Sequence, residues 1–243
     1  MSGFNSEKPT QYNHNHYEVR RKILQSLVRF VGIPLLAKVE TITGQENIPK
    51  NGPAIIMINH IALIDPIVIL PFINRRITPL AKIEVYNYPV VGIFPRIWGV
   101  IPVRREEVDR YAITKALEVL KAGEIILVAP EGTRGPQLKQ GKEGIAYLTS
   151  RSGAPIVPTA VCGTIGFPAL RFSHRWREPG AVIRFGKAFR FHPEYQHARL
   201  EQLRQMTDEA MYILAGMLPP KQRGFYSNLE NASIETFEWV QQP

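Results

Sequence analysis

Hydrophobic positions along this chain follow two patterns: short continuous apolar runs, and stretches where apolar residues return every third or fourth position. The continuous runs predict buried strands at Ala54 to Ile58, Glu124 to Ala129, Pro155 to Val161 and Ala181 to Phe185. Helical recurrence predicts a helix over Glu107 to Ala122, carried by Val108, Tyr111, Ala112, Lys115, Leu117, Val119 and Leu120 and closed by Gly123. It also predicts a short helix from Gly144 to Ser152, ended by Gly153, and a long one from Leu200 to Leu218. Strands alternating with helices indicate an α/β fold, a largely parallel central sheet flanked by helices.

Near the N-terminus, residues 17–43 read as an amphipathic helical segment broken at Gly32 and Pro34. Val19, Ile23, Leu24, Leu27, Val28 and Val31 recur at helical spacing, with Arg20, Arg21, Lys22 and Arg29 at other positions. Its longest uncharged run, Phe30 to Ala37, is far below the roughly 20 residues a membrane span needs. Packing on the domain's own core and lying on a membrane both remain open for it. The division that follows is residues 1–43 as tail and docking segment, 44–218 as the α/β domain and 219–243 as a polar, loosely ordered tail.

Residues 51–74 are apolar enough to resemble a span, with only His60 and Asp65 ionisable. Pro53, Pro66 and Pro71 argue against one, because each removes a backbone donor that lipid cannot replace. The stretch instead predicts a strand, a loop and a helix opening at Asp65-Pro66, with aspartate as N-cap and proline at the first helical position.

Composition adjusts this picture in three ways. A chain of 243 residues, 44% apolar, can bury a proper core. The single cysteine, Cys162, excludes an internal disulfide and a four-cysteine zinc site. The polar first residues lack the compact apolar region of a secretory signal. The net charge of +9 is unevenly spread: residues 134–190 carry ten Lys or Arg against Glu143 and Glu178, while residues 191–243 are net acidic. A basic middle fits nucleic acid, an anionic bilayer or a phosphorylated substrate, and charge alone does not choose.

Two segments carry chemistry. Asn59-His60-Ile61-Ala62-Leu63-Ile64-Asp65 places a histidine directly after a buried strand and an aspartate five positions on. The histidine can take a proton from a hydroxyl, and the aspartate can orient it if a strand-to-helix turn brings them together. Standing alone, such a histidine is more often a satisfied core residue, and Asp65 only a cap. Pro130-Glu131-Gly132-Thr133-Arg134 ends another strand, where α/β sheets bind ligands; Arg134 offers a fork for phosphate. Its plainer reading is a turn with an exposed charge pair. No Gly-x-Ser-x-Gly elbow, metal set or phosphate-binding Walker loop is present.

Taken in order, these segments resemble the glycerolphosphate acyltransferase superfamily, and within it the bacterial 1-acylglycerol-3-phosphate acyltransferases. Asn59, His60 and Asp65 match its NH-x4-D motif, and Gly99-Val100-Ile101-Pro102-Val103-Arg104-Arg105 its second motif, with the arginine on Arg105. Residues 130–134 match its PEGTR, and Pro155-Ile156-Val157-Pro158 its fourth motif. Ala81-Lys82-Ile83-Glu84, Gly141-Lys142-Glu143-Gly144 and Leu218-Pro219-Pro220 with Arg223, Gly224 and Tyr226 add weaker matches. Ala129 stands where the family usually has phenylalanine, and Arg104 where an acid is common.

The resemblance implies an enzyme moving an acyl group from acyl-CoA or acyl carrier protein to the sn-2 hydroxyl of 1-acyl-sn-glycerol 3-phosphate (lysophosphatidic acid), forming phosphatidic acid in phospholipid biosynthesis. His60 and Asp65 would be catalytic. Glu131, Gly132, Thr133, Arg134 and Arg105 would hold the phosphate, with Lys82 and Lys142 as further candidates. No metal or cofactor is implied, since the thioester already carries an activated acyl group. The expected partners are the two substrates and an anionic membrane surface, with acyl carrier protein as a candidate and no nucleic acid. The expected location is the cytoplasmic face of the cell membrane, peripheral or monotopic. Another lysophospholipid or an amino-acid lipid as acceptor, a thioesterase, and a non-catalytic membrane-binding module stay open as alternatives.

Overall fold

The computed structural model describes residues 15–89, 91–105 and 108–240. The polar tract through His14 and the expected helix start at Glu107 lie outside the described residues, as does the side chain of His16.

The first elements among the described residues are helix α1 (Asn15–Leu27), a π-turn (Val28–Gly32) and helix α2 (Ile33–Leu36). Gly32 and Pro34 therefore do not break the segment. A proline ring clashes with the carbonyl four residues back, and the wider turn, closed by the Ile33 N–H on the Val28 carbonyl, relieves that clash. Steps of four residues on an α-helix drift by about 40°, so the wide turn also keeps Val31 and Leu35 in line with Val19, Ile23 and Leu27. The helical reading fails beyond Leu36. Val39–Thr43 is strand β1, in keeping with its β-branched Val-Glu-Thr-Ile-Thr sequence.

Strand β2 (Ala54–Ile58) follows, then helix α3 (Asp65–Ile69), β3 (Ile77–Lys82), α4 (Ile93–Trp98), β4 (Ile101–Val103), α5 (Arg110–Lys121) and β5 (Ile125–Val128). Next come α6 (Gly144–Ser152), β6 (Ile156–Cys162), β7 (Ala181–Phe185), β8 (Phe189–Phe191), α7 (Leu200–Gly216) and β9 (Phe237–Trp239). The path through the sheet is β1-β7-β6-β2-β5-β3-β4, with β8 and β9 continuing from β6. Pairing is parallel except between β6 and β7, β6 and β8, and β8 and β9. One face packs α5, α6 and α7 against Ile55, Met57 and Ile126; the other packs α3 and α4 against Ile56, Ile58 and Leu127. β2 is buried at every position because it lies between both cores.

Two corrections concern ends. Ile64, not Asp65, caps α3; Asp65 and Pro66 occupy its first turn. The segment after Leu218 is packed rather than loose. Tyr226 is fully buried, Phe237 nearly so, and β9 joins the sheet through β8.

Candidate active site

Sheet register explains why motifs far apart in sequence meet. β2 and β5 are parallel neighbours with Met57 opposite Val128, so three residues onward His60 lies beside Glu131. β3 and β4 are likewise parallel with Lys82 opposite Val103, which sets Lys82 beside Arg104 and Arg105. The carboxyl ends of these four strands form one rim, the usual ligand edge of an α/β sheet.

His60 is held on three sides. Its backbone N–H donates to Glu131 Oε1 at 3.1 Å, its carbonyl accepts from the Gly135 N–H at 2.9 Å, and its ring Nδ1 lies 2.9 Å from Asp65 Oδ2. Asp65 is fully buried. Its Oδ2 also accepts from the backbone N–H groups of Ile61 (2.7 Å) and Ala62 (2.8 Å), and its Oδ1 from the Thr164 hydroxyl (2.5 Å). Oδ2 already accepts from two backbone N–H groups, so it meets the imidazole as an acceptor as well. Nδ1 must then carry the proton, and Nε2 is the free basic nitrogen. The His60 side chain keeps 12% of its surface exposed while Asp65 keeps none, so the ring alone meets a ligand.

Asn59 does structural work at the same strand end. Its side chain donates to the Val161 carbonyl at 2.8 Å and accepts from the Val161 N–H at 2.7 Å, extending the β2–β6 ladder by one rung. Thr164 was invisible to sequence reasoning: a lone threonine 99 positions from Asp65 carries no local signal.

A cavity of about 840 Å³ opens beside the imidazole. His60, Lys82, Arg104, Arg105, Gly132 and Lys142 lie on its wall. Its apolar lining draws on both cores, with Ile67, Phe94 and Val100 from one and Leu117, Leu148 and Leu203 from the other. The volume is at the upper end for ligand pockets, and a polar rim over an apolar body suits an amphipathic ligand. Ala129, where the family pattern has phenylalanine, is also on the wall. The acids on that wall are committed elsewhere. Asp109 accepts from the Arg104 and Ala112 N–H groups, and Glu143 accepts from Arg204. Off the wall, Glu84 pairs with Lys82 at 2.8 Å, so an anion in the cavity would compete with Glu84 for that cation.

Burial foremost, and the nearby Arg134 charge, pull the Arg105 guanidinium below its ordinary pKa, with Glu84 opposing. An incoming anion would relieve both effects. Lys142 lies over Gly132, and its Nζ is 3.5 Å from the Arg105 carbonyl. Gly132 is favoured by its φ of +63°; a Cβ there would meet Lys142 Cε at 3.3 Å, a crowding the flexible lysine can relieve by a small shift.

The remaining candidates take other places. Thr133 and Arg134 are outside the cavity wall; Arg134 is exposed and acts on Arg105 through its charge. Glu131 is buried, and its two oxygens accept from the His60 and Lys139 backbone N–H groups, which ties the strand ends together. Burial pushes its carboxyl up to about 7, against those two donors.

The basic loop carrying Lys142 is braced from behind. The Tyr226 hydroxyl accepts from the Gly141 N–H (3.0 Å) and donates to Asp208 (2.8 Å). Arg204 donates to the Gly141 carbonyl, Glu143 and Asp208, and the Lys142 N–H donates to the Pro130 carbonyl. Among the described residues no group of three or more His, Cys, Asp or Glu is placed to hold a metal ion.

Comparison with known proteins gives this arrangement a context. The family model described as Acyltransferase matches residues 40–162. A 1-acyl-sn-glycerol-3-phosphate acyltransferase of Borreliella burgdorferi is 35% identical over 130 residues, 52% of each chain. One of Bacillus subtilis is 31% identical over 123 residues, 49% of this chain and 60% of that one. The chain thus spans roughly half the length of the curated relatives it matches. The crystal structure of the 1-acyl-sn-glycerophosphate (LPA) acyltransferase PlsC from Thermotoga maritima shares the fold. Its TM-score is 0.60 at 22% identity, over 93% of this chain and 86% of that one.

Proposed function

This chain belongs to the Acyltransferase family, and from that premise we propose that it transfers an acyl group from a thioester to the sn-2 hydroxyl of 1-acyl-sn-glycerol 3-phosphate. The observation that carries this reading is a buried Asp65 holding His60 Nδ1, with His60 on the wall of an amphipathic cavity rimmed by cations.

His60 Nε2 takes the hydroxyl proton as the oxygen attacks the thioester carbonyl carbon. The tetrahedral intermediate collapses, the C–S bond breaks, and the leaving sulfur receives that proton from the imidazolium. Asp65 stabilises the imidazolium in between, the part a carboxylate plays in hydrolase triads. Lys82, Arg105 and Lys142 hold the phosphate from the rim, and Arg134 adds its charge from outside. Glu131 positions His60 rather than touching phosphate, since a buried carboxylate would repel it. The acyl donor is acyl-CoA or acyl carrier protein, both anionic and suited to a basic rim. No metal or cofactor is needed, because the thioester bond supplies the driving force.

The acceptor is a lipid, so the protein works at a bilayer, on its cytoplasmic face. Among the described residues no helix is long and apolar enough to cross a membrane. Val19, Ile23, Leu27, Phe30, Val31 and Leu35 are exposed along the helical segment 15–36, next to Arg20, Lys22 and Arg29. An apolar stripe flanked by cations is the pattern of a helix lying in the membrane interface.

The test is a transfer assay with lysophosphatidic acid and acyl-CoA in mixed micelles, reading phosphatidic acid and released thiol. His60→Ala should lose at least about 10² in rate, the usual contribution of a general base. Thiol release with free fatty acid and no phosphatidic acid would make the protein a thioesterase instead.

A further inference from the structure

After β6 the chain leaves the site at Thr164 and returns at Gly180 to enter β7. The intervening loop displays three large apolar side chains: Ile165 at 57%, Leu170 at 70% and Phe172 at 97% exposure. Single exposed apolar residues are ordinary. These three differ because the loop is braced from within and cannot fold them away. Arg175 donates to the carbonyls of Ile165 (2.7 Å), Pro179 (2.9 Å) and Gly163 (2.6 Å), and its guanidinium stacks 4.0 Å from the Phe167 ring centre. Trp176 packs edge-on against Phe167, and its indole N–H donates to the Ala169 carbonyl at 2.8 Å. Phe167 is the buried centre of this small core.

The loop is also stitched to the helical segment. The Ala169 N–H donates to the Leu36 carbonyl at 2.8 Å, and just beyond both segments the Ala181 N–H at the start of β7 donates to the Lys38 carbonyl at 2.6 Å. Leu35 and Leu36, at the end of the exposed stripe, are therefore next to the loop. Arg171, His174 and Arg177 are exposed on it, and Glu178 is its one acid.

We propose that loop 163–180 is a second membrane-insertion element, placing Ile165, Leu170 and Phe172 among the acyl chains of an anionic bilayer beside the helical segment. Arg171 and Arg177 meet the lipid phosphates. This rests on the bilayer-docking reading above. Charge and apolarity together select a lipid surface: an apolar tip ringed by cations matches the hydrocarbon boundary and the anionic headgroups above it. The helix alone fixes one line on the bilayer; the loop adds a second contact off that line and so sets the tilt of the domain. Thr164, which holds Asp65, is the residue preceding Ile165, so the inserted tip is joined directly to the catalytic pair.

The experiment measures binding of the full chain to vesicles of phosphatidylcholine with and without phosphatidylglycerol. Leu170→Ser with Phe172→Ser should weaken binding by about tenfold or more, from the apolar area lost to the bilayer, at unchanged melting temperature. Ile234→Ser, an exposed apolar residue of the C-terminal segment, serves as control and should bind as wild type. A fluorophore on Phe172→Cys, in a Cys162→Ser background, should shift to the blue on vesicles containing phosphatidylglycerol. Two results overturn the loop while leaving the docking reading intact: wild-type binding by the loop variant when Ile23→Ser with Phe30→Ser loses it, or a label that stays in water on bound protein. If wild type itself does not bind, or the loop and helix variants both bind as wild type does, docking fails and the loop proposal falls with it.

Discussion

Replacing Asp65 by asparagine separates its charge from its hydrogen bonds. The four donors around Asp65 are the His60 ring, two backbone N–H groups and the Thr164 hydroxyl. In Asp65→Asn the amide oxygen can occupy the Oδ2 place and keep three of them. The amide NH2 then faces Thr164, whose hydroxyl turns to accept. The fold therefore loses about 1 kcal/mol or less, or about 2–4 °C in a domain of this size. What disappears is a negative charge beside the ring that becomes an imidazolium. Two unit charges about 4 Å apart attract by about 4 kcal/mol at an effective dielectric of about 20. That corresponds to roughly 10³ in rate, at 1.36 kcal/mol per tenfold. Mixed-micelle assays following thiol release should show kcat reduced by about 10³ with KM for the acceptor nearly unchanged. Asp65→Ala is the uninformative alternative, since it strands buried donors at about 1–3 kcal/mol each. If Asp65→Asn retains activity within tenfold of wild type, the imidazolium is not stabilised by this carboxylate and the reasoning fails.

Thr164→Val removes one donor to Asp65 at nearly constant volume; kcat should fall by about fivefold to tenfold, and combining it with Asp65→Asn should cost little more, as expected for one network. Tyr226→Phe unties Gly141 and should raise KM for lysophosphatidic acid about fivefold to tenfold through Lys142, against a smaller change in kcat, in initial-rate kinetics. Glu131 has its carboxyl raised from 4.5 to about 7 in the folded protein. Its contribution to stability is therefore complete below about 4.5 and lost as pH rises through about 7, a change of about 3 kcal/mol. Denaturant titrations of wild type and Glu131→Gln should show that wild type's stability relative to the variant declines across that window; a pH-independent difference would refute the assignment.

Much of the sheet could be read from the chain. Ala54–Ile58, Gly144–Ser152 and Ala181–Phe185 have the bounds that periodicity and flanking glycines predict. Those elements are buried as units, so pattern and structure report the same physics. Residues 37–43 read as helix only if the apolar spacing of 17–36 is carried past Leu36, whereas β1 there is stabilised by pairing with β7, over a hundred residues away. The C-terminal segment reads as polar because its apolar residues are scattered, and the burial of Tyr226 and Phe237 depends on partners distant in sequence. At the site, His60 and Asp65 were legible because five residues and a proline define their turn. The division of labour within PEGTR was not. Glu131 faces inward because Lys139, eight residues on, and His60, across a strand, both present N–H groups to it. Neither direction is written in the motif.

The brace behind Lys142 has a consequence for the order of events during synthesis. Tyr226 follows Gly141 by 85 residues, so the hydroxyl that anchors the loop is made well after the loop itself. On the proposed reading, a growing chain would hold its imidazole and its apolar cavity before the loop bearing Lys142 is fixed. Grip on a phosphate would then arrive only when α7 and the segment after it fold against the domain, however early the helical segment meets a bilayer.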